Sequence, residues 1–243
     1  MRKFSFFDKH PELYEKGFDY RGINEQVKFL DKIFSKNKVK SVLDVACGHT
    51  PQGRKLAKLG YKVSGIDLSN SLLRLANKKA KQEKVKIKLY KRDMKKFKVG
   101  KFDAAYILFS SILHLYKQKD LVSHFKSVNK NLKKGGLYII DLSSLPFKSS
   151  NKPAKFKKIN GKLTTNITWT PLKSSKSQAR FTCVSLLENK KVNEDSFIVL
   201  RFLPISLLKN LAEKTGFEIE DIYKNFQFSK KLGGKPEYIA VLK

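Results

Sequence analysis

The 243-residue chain is short of cysteine, arginine and acidic residues, and it has no long apolar run. Its two cysteines, Cys47 and Cys183, make at most one pair and no ligand cluster, which excludes a disulfide framework and a cysteine-based zinc site. No stretch approaches the ~20 apolar residues that cross a bilayer, and Met1 to Asp8 lacks the run of ~7–15 apolar residues of a signal peptide. A cytoplasmic protein with no membrane partner is expected. Acid is outnumbered by base, 21 Asp+Glu against 52 Lys+Arg, for a net charge of +31. With 41% hydrophobic residues the composition still excludes a disordered or fibrous chain.

Such a charge invites a nucleic-acid partner, since basic surfaces neutralise phosphates and release counterions. The scarcity of arginine weighs against it. Of the 52 basic residues only 7 are Arg, whereas bidentate recognition of phosphates and base edges favours Arg. Much of the excess is also local, in Asn77 to Lys101, where Val85, Ile87 and Leu89 alternate with Lys86, Lys88 and Tyr90. That is the pattern of a strand with one lysine face, a common protection for a sheet edge.

From Lys38 onward strand and helix patterns alternate. Ser41 to Val45, Tyr61 to Ile66, Val85 to Tyr90, Phe102 to Phe109 and Leu137 to Leu142 read as strands. Between them lie helical patterns: one within Gly53 to Gly60, one capped by Ser69, and one through Leu121, Phe125, Val128 and Leu132 that should end at Gly135-Gly136. Repeated βα units predict a doubly wound, mostly parallel α/β sheet with its ligand at the carboxyl ends of the strands. After Pro146 the helical period disappears. Lys162 to Thr170, Ala179 to Glu188 and Val192 to Phe202 read as an antiparallel β insertion, after which a helix starts at Pro204 and stops at Gly216. Phe217 to Phe226 and Tyr238 to Leu242 can close one sheet edge as a hairpin.

The informative segment is Asp44-Val45-Ala46-Cys47-Gly48, with Asp67 closing the next strand. A glycine turn after a strand lets a ligand approach the backbone, and an acid at the tip of the neighbouring strand can accept hydrogen bonds from a ribose diol. A pyrophosphate-binding use is poorly supported. The turn supplies fewer glycines than that fingerprint wants, with Thr50 at its second glycine, and Asp44 would repel phosphate.

Asp44 to Thr50 and Asp67 resemble motif I and the second-strand acid of class I S-adenosylmethionine-dependent methyltransferases, with Thr50 where a second glycine is common. Arg92-Asp93-Met94, Leu108 to Leu115 and Gly135 to Leu142 extend the resemblance over nearly the whole chain. It implies a Rossmann-like, seven-stranded sheet and S-adenosylmethionine as cofactor. The ribose diol would meet Asp67, the adenine edge Asp93 and the backbone of Met94, and the adenine face Leu68 and Met94. The methionine ammonium would meet Asp44 and carbonyls near Ala46 and Leu108, with Gly48 in the turn. Purely structural roles remain for two of these, with Asp67 capping the next turn and Asp93 beginning one.

The loop Phe109 to Leu115, the β insertion and Leu13 to Tyr20 are similar to small-molecule N-methyltransferases, including those acting on amino sugars and glycine. The resemblance therefore implies a small-molecule acceptor, enclosed by an N-terminal lid over 1–36 and an insertion over 148–202 that roofs the acceptor or makes a homodimer contact. Residues 37–147 and 203–243 would form the cofactor-binding domain. His114 is the candidate to take a proton from an amine or hydroxyl, and Tyr14 or Tyr20 to orient the acceptor. Loop hydrogen bonding is the competing role for His114, and packing for the tyrosines and for Trp169. The alternatives in function are an RNA methyltransferase that uses the basic surface and a non-catalytic cofactor-binding protein.

Overall fold

A computed structural model describes residues 9–17, 22–143, 152–229 and 237–243. Among the described residues two helices come first, α1 (Pro11–Gly17) and α2 (Ile23–Lys36). Then follow β1 (Ser41–Val45), α3 (Pro51–Lys58), β2 (Lys62–Asp67), α4 (Asn70–Gln82), β3 (Ile87–Lys91) and β4 (Phe102–Ile107). After a 3-10 turn at Ser111–His114 come α5 (Gln118–Asn131) and β5 (Leu132–Asp141). The strands β6 (Ala154–Asn160), β7 (Leu163–Pro171), β8 (Gln178–Leu187) and β9 (Lys190–Leu200) precede α6 (Ile205–Thr215), β10 (Ile219–Tyr223) and β11 (Ile239–Leu242).

The strands form two sheets. The larger has the order β10-β11-β5-β4-β1-β2-β3, parallel except for β11, which runs antiparallel to both its neighbours. The smaller is the antiparallel meander β6-β7-β8-β9. The expected α/β class and closing hairpin are therefore what the chain adopts. Because side chains alternate along a strand, β1 sends Val42 and Asp44 to one face and Leu43 and Val45 to the other. The first face is covered by Phe29, Leu30, Ile33 and Phe34 of α2 and Leu56 of α3, the second by Leu121, Phe125 and Val128 of α5 and Leu208 and Leu211 of α6. Residues 23–36 of the expected lid are thus a layer of the core. It is α1 that reaches the smaller sheet, through Tyr14 and Leu13 against Ile167, Cys183 and Trp169.

Several boundaries differ from the sequence expectation. Helix α3 starts at Pro51, whose missing N–H costs nothing in a first turn, and so encloses Gly53. Helix α5 ends at Asn131, and Gly135-Gly136 lie inside β5. The second glycine serves close approach: a Cβ there would lie 3.1 Å from the Asp103 carbonyl of the neighbouring strand. Strand β6 was not expected, because Lys155, Lys157 and Lys158 hide its alternation. Strand β3 is an edge of the large sheet, and Lys88 and Lys91 are exposed on it.

Candidate active site

Parallel pairing sets the acids side by side at the carboxyl ends. Asp44 is in register with Gly65 of β2 and Tyr106 of β4, and Asp67 with Lys91 of β3. Asp44 is buried, and its Oδ2 accepts a 2.8 Å hydrogen bond from the Thr50 hydroxyl. Burial pushes its pKa from 3.8 up to about 7, against the downward pull of the Thr50 and Tyr106 hydroxyls. A Cβ at Gly53 would overlap the Thr50 hydroxyl, so this glycine lets Thr50 turn toward Asp44. The connecting loop is tightly coiled, with positive φ at Ala46 (56°), Gly48 (55°) and Thr50 (45°). Left-handed backbone at two residues with a Cβ is strain of the kind that clusters at ligand sites.

Asp67, half-buried, holds this loop against its own. Its Oδ2 accepts from the Gly48 amide and its Oδ1 from the Ser69 amide, both at 2.8 Å. The turn-capping role expected as an alternative is therefore real. Leu68 beside it is 44% exposed, an apolar side chain at the rim. Past β3, Asp93 accepts from the Lys95 amide at 2.8 Å and so does begin a turn, with Met94 half-buried against the core.

Beyond β4, Leu108 is buried and the next two residues take positive φ, 56° at both Phe109 and Ser110. Asp141 at the end of β5 fixes them, its Oδ2 accepting from the Phe109 amide at 2.9 Å and its carbonyl from the Ser110 amide at 3.1 Å. The 3-10 turn then delivers His114 to the smaller sheet, its ring 4.9 Å from that of Phe197. Phe197 stacks on Phe181, and Phe181 meets the edge of Trp169, each at 4.8 Å. The three rings are cross-strand neighbours on β9, β8 and β7. Tyr14, on α1, is buried and edge-on to His49 of the glycine loop, the rings 6.1 Å apart. Its neighbour Glu15 bridges His49 at 3.5 Å and Lys79 of α4 at 2.6 Å. Tyr20 lies outside the described residues.

Asp44, Gly48, Asp67, Asp93 and Leu108 are thus gathered at one end of the sheet, with Tyr14 and His114 reached from α1 and the smaller sheet. Sequence reading missed Tyr106, Arg54 and Asp141. Tyr106 faces Asp44, and its own pKa is pushed up by burial and by that acid. Arg54 of α3 pairs with Glu83 at 2.8 Å and donates to the His49 carbonyl, bracing the loop. The acid ending an apolar strand marked Asp67 and would have marked Asp141 equally well.

The donor set suits a ligand with a cationic amine, a vicinal diol and a flat ring with a polar edge. Carboxylates can accept hydrogen bonds from an amine and a diol, and apolar side chains can cover a ring. S-adenosylmethionine has these parts. Among the described residues no group of three acids, histidines or cysteines could hold a metal ion, and Arg54 is committed to Glu83 and His49.

The strand order, the antiparallel last strand and the acids at the strand ends define the class I S-adenosylmethionine-dependent methyltransferase fold. A crystal structure of an S-adenosylmethionine-dependent methyltransferase from Clostridium acetobutylicum ATCC 824 shares it, with a TM-score of 0.83, 17% identity and 97% of each chain covered. Residues 42–136 match the methyltransferase domain family. YqeM of Bacillus subtilis (strain 168), named a methyltransferase without an acceptor, is 35% identical over 105 residues, 42% of each protein. The dTDP-3-amino-3,4,6-trideoxy-alpha-D-glucopyranose N,N-dimethyltransferase of Streptomyces venezuelae is 28% identical over 139 residues, 54% of this chain and 56% of that protein. The chain spans about half the length of the curated relatives it matches.

Proposed function

We propose that the protein transfers a methyl group from S-adenosylmethionine to a nitrogen or oxygen atom of a small-molecule acceptor. The observation that carries this reading is the convergence of Asp44, Asp67 and Asp93 on successive strand ends around the strained loop Ala46 to Thr50. When bound, the cofactor supplies a methyl carbon on a sulfonium sulfur, which needs an in-line lone pair and little else.

In this reading Asp67 accepts the ribose hydroxyls, while Asp44 and the carbonyls of Ala46 and Leu108 meet the ammonium. Asp93 and the backbone of Met94 read the adenine edge, Leu68 and Met94 flank its faces, and Gly48 lets the ligand lie against the turn. His114 takes the proton released when an amine or hydroxyl is methylated, and Tyr14 orients the acceptor beside the glycine loop. The aromatic row Phe197, Phe181 and Trp169 lines the way to His114 with apolar surface. An amine-bearing ring is the favoured acceptor, in keeping with the amino-sugar substrate named for the Streptomyces relative. Residues 1–36 would contribute the lid through α1, and 148–202 the roof.

Methyl transfer from labelled cofactor into a cell extract, separated into metabolite, RNA and protein fractions, tests the proposal. Label in the metabolite fraction, greatly reduced with His114→Asn, is expected. Label confined to RNA or protein would overturn the small-molecule acceptor.

A further inference from the structure

The loop from Asp93 to Gly100 has no regular structure of its own, so its backbone polar groups must find partners elsewhere. One face of α5 provides them. Ser123 donates to the Lys95 carbonyl at 2.7 Å, and Asn131 accepts from the Val99 and Gly100 amides at 2.8 and 3.2 Å and donates to the Phe97 carbonyl at 3.1 Å. Ser127 accepts from the Phe97 amide at 3.4 Å.

His124 is, like Asn131, a fully buried member of this face, and both its nitrogens are engaged. Nδ1 lies 2.7 Å from the Met94 carbonyl and Nε2 lies 2.6 Å from the Tyr138 hydroxyl. A carbonyl can only accept, so Nδ1 carries the proton and Nε2 accepts from Tyr138. Burial pushes the ring's pKa from 6.5 down to about 4, which keeps this neutral tautomer in place at ordinary pH. The Met94 carbonyl belongs to the same peptide plane as the Lys95 amide, and that amide donates to Asp93 Oδ1 at 2.8 Å. One rigid peptide therefore joins His124 to the Asp93 carboxylate. A hydrogen bond accepted at its carbonyl end also strengthens the donor at its amide end.

We propose that His124, held by Tyr138, is a positioning residue for adenine recognition, setting the direction of the Asp93 carboxylate through the Met94-Lys95 peptide. The proposal rests on the cofactor reading above. It explains why a fully buried histidine, which forms no part of the reacting site, spends both ring nitrogens on a loop carbonyl and a core tyrosine. A hydrophobic residue would fill the same volume between α5 and β5 without holding the peptide.

The experiment compares calorimetric affinities for S-adenosylhomocysteine and S-inosylhomocysteine, in which a ring carbonyl replaces the adenine amino group. Wild type should prefer the adenine ligand by about tenfold or more, the worth of one hydrogen bond to a charged group. His124→Leu should lose most of that preference. His124→Asn, whose side-chain amide can reach the Met94 carbonyl, should restore it even where its melting temperature is as low as that of the Leu variant. Should the Leu variant fail to fold, Tyr138→Phe and Ser123→Ala carry the test, with partial loss of preference and faster amide exchange in residues 93–100. An unchanged preference in folded variants, whatever their stability, overturns the positioning role. Wild type binding both ligands equally would remove Asp93 from the adenine site and the proposal with it. Wild type binding neither would overturn the cofactor reading itself.

Discussion

The Asp67 carboxylate accepts a 2.8 Å hydrogen bond from the Gly48 amide, tying the tip of β2 to the glycine loop that follows β1. The acid is thus the loop's anchor, and in the proposed function it is also the acceptor of the ribose diol. Asp67→Ala should weaken binding of S-adenosylmethionine by about 1.5–3 kcal/mol, the worth of hydrogen bonds to a charged group. Calorimetry measures this directly, and wild-type affinity in the variant would remove Asp67 from the site.

Asp44 makes the protein sensitive to pH. Its folded pKa, about 7, lies above the value of 3.8 for an unperturbed carboxyl, so the folded state binds the proton more tightly. The stability this contributes is complete below pH 3.8 and is lost as pH rises through 7. Asp44→Asn, which cannot ionise, should therefore melt higher than wild type at pH 8 by an amount that vanishes near pH 4. A ligand ammonium favours the carboxylate, so cofactor binding near pH 6 should release a proton and tighten as pH rises to 8. Binding heats in buffers of different ionisation enthalpy count that proton, and a count of zero would put the ammonium elsewhere.

Thr50 stands in left-handed backbone with φ 45°, where glycine would relieve roughly 1–2 kcal/mol of strain. It also donates the hydrogen bond that holds down the pKa of Asp44. Losing a hydrogen bond to a charged group costs ~1.5–3 kcal/mol, so the two effects nearly cancel in Thr50→Gly. The melting temperature of that variant should change little, while the midpoint of the pH dependence of binding moves upward. Thr50→Ser keeps the hydroxyl and should leave the midpoint in place. A midpoint that stayed put in both variants would mean that the Thr50 hydroxyl has no hold on Asp44.

Most of the fold, and the placing of Asp44, Gly48 and Asp67 at the carboxyl ends of β1 and β2, was legible because apolar runs, strand-end acids and turn glycines are local signals. Ser69 capping α4, Pro204 and Gly216 bounding α6 and the acid closing β2 all follow from single residues and their immediate neighbours. What escaped was set by partners distant in sequence. Tyr106 reads as one more apolar residue of a central strand until pairing puts it opposite Asp44. His124 reads as one more helical residue until the 93–100 loop folds against α5. Strand β6 lies where lysines interrupt the alternation, and it is β7 that makes it a strand by pairing with it.

The lysines on and beside β3 decide between a structural and a nucleic-acid use of the charge. Lys84, Lys86, Lys88 and Lys91 are exposed on or beside β3, the outermost strand of the large sheet, where charge discourages edge-to-edge pairing. If RNA were the substrate, some 6–10 phosphate contacts would make its affinity fall by roughly 10³–10⁵ between 50 and 200 mM salt, and replacing the four lysines by glutamine would flatten that slope. An edge-protecting role predicts instead that the four-glutamine variant keeps its methyl-transfer activity and its weak, salt-insensitive response to RNA. Its cost should appear as self-association, since the bare edge of β3 is then open to a second copy. Light scattering against concentration measures that association, and methyl transfer in the presence of tRNA measures the competition. Strong inhibition of the wild type by tRNA, steep in salt and lost in the variant, would assign these lysines to nucleic acid.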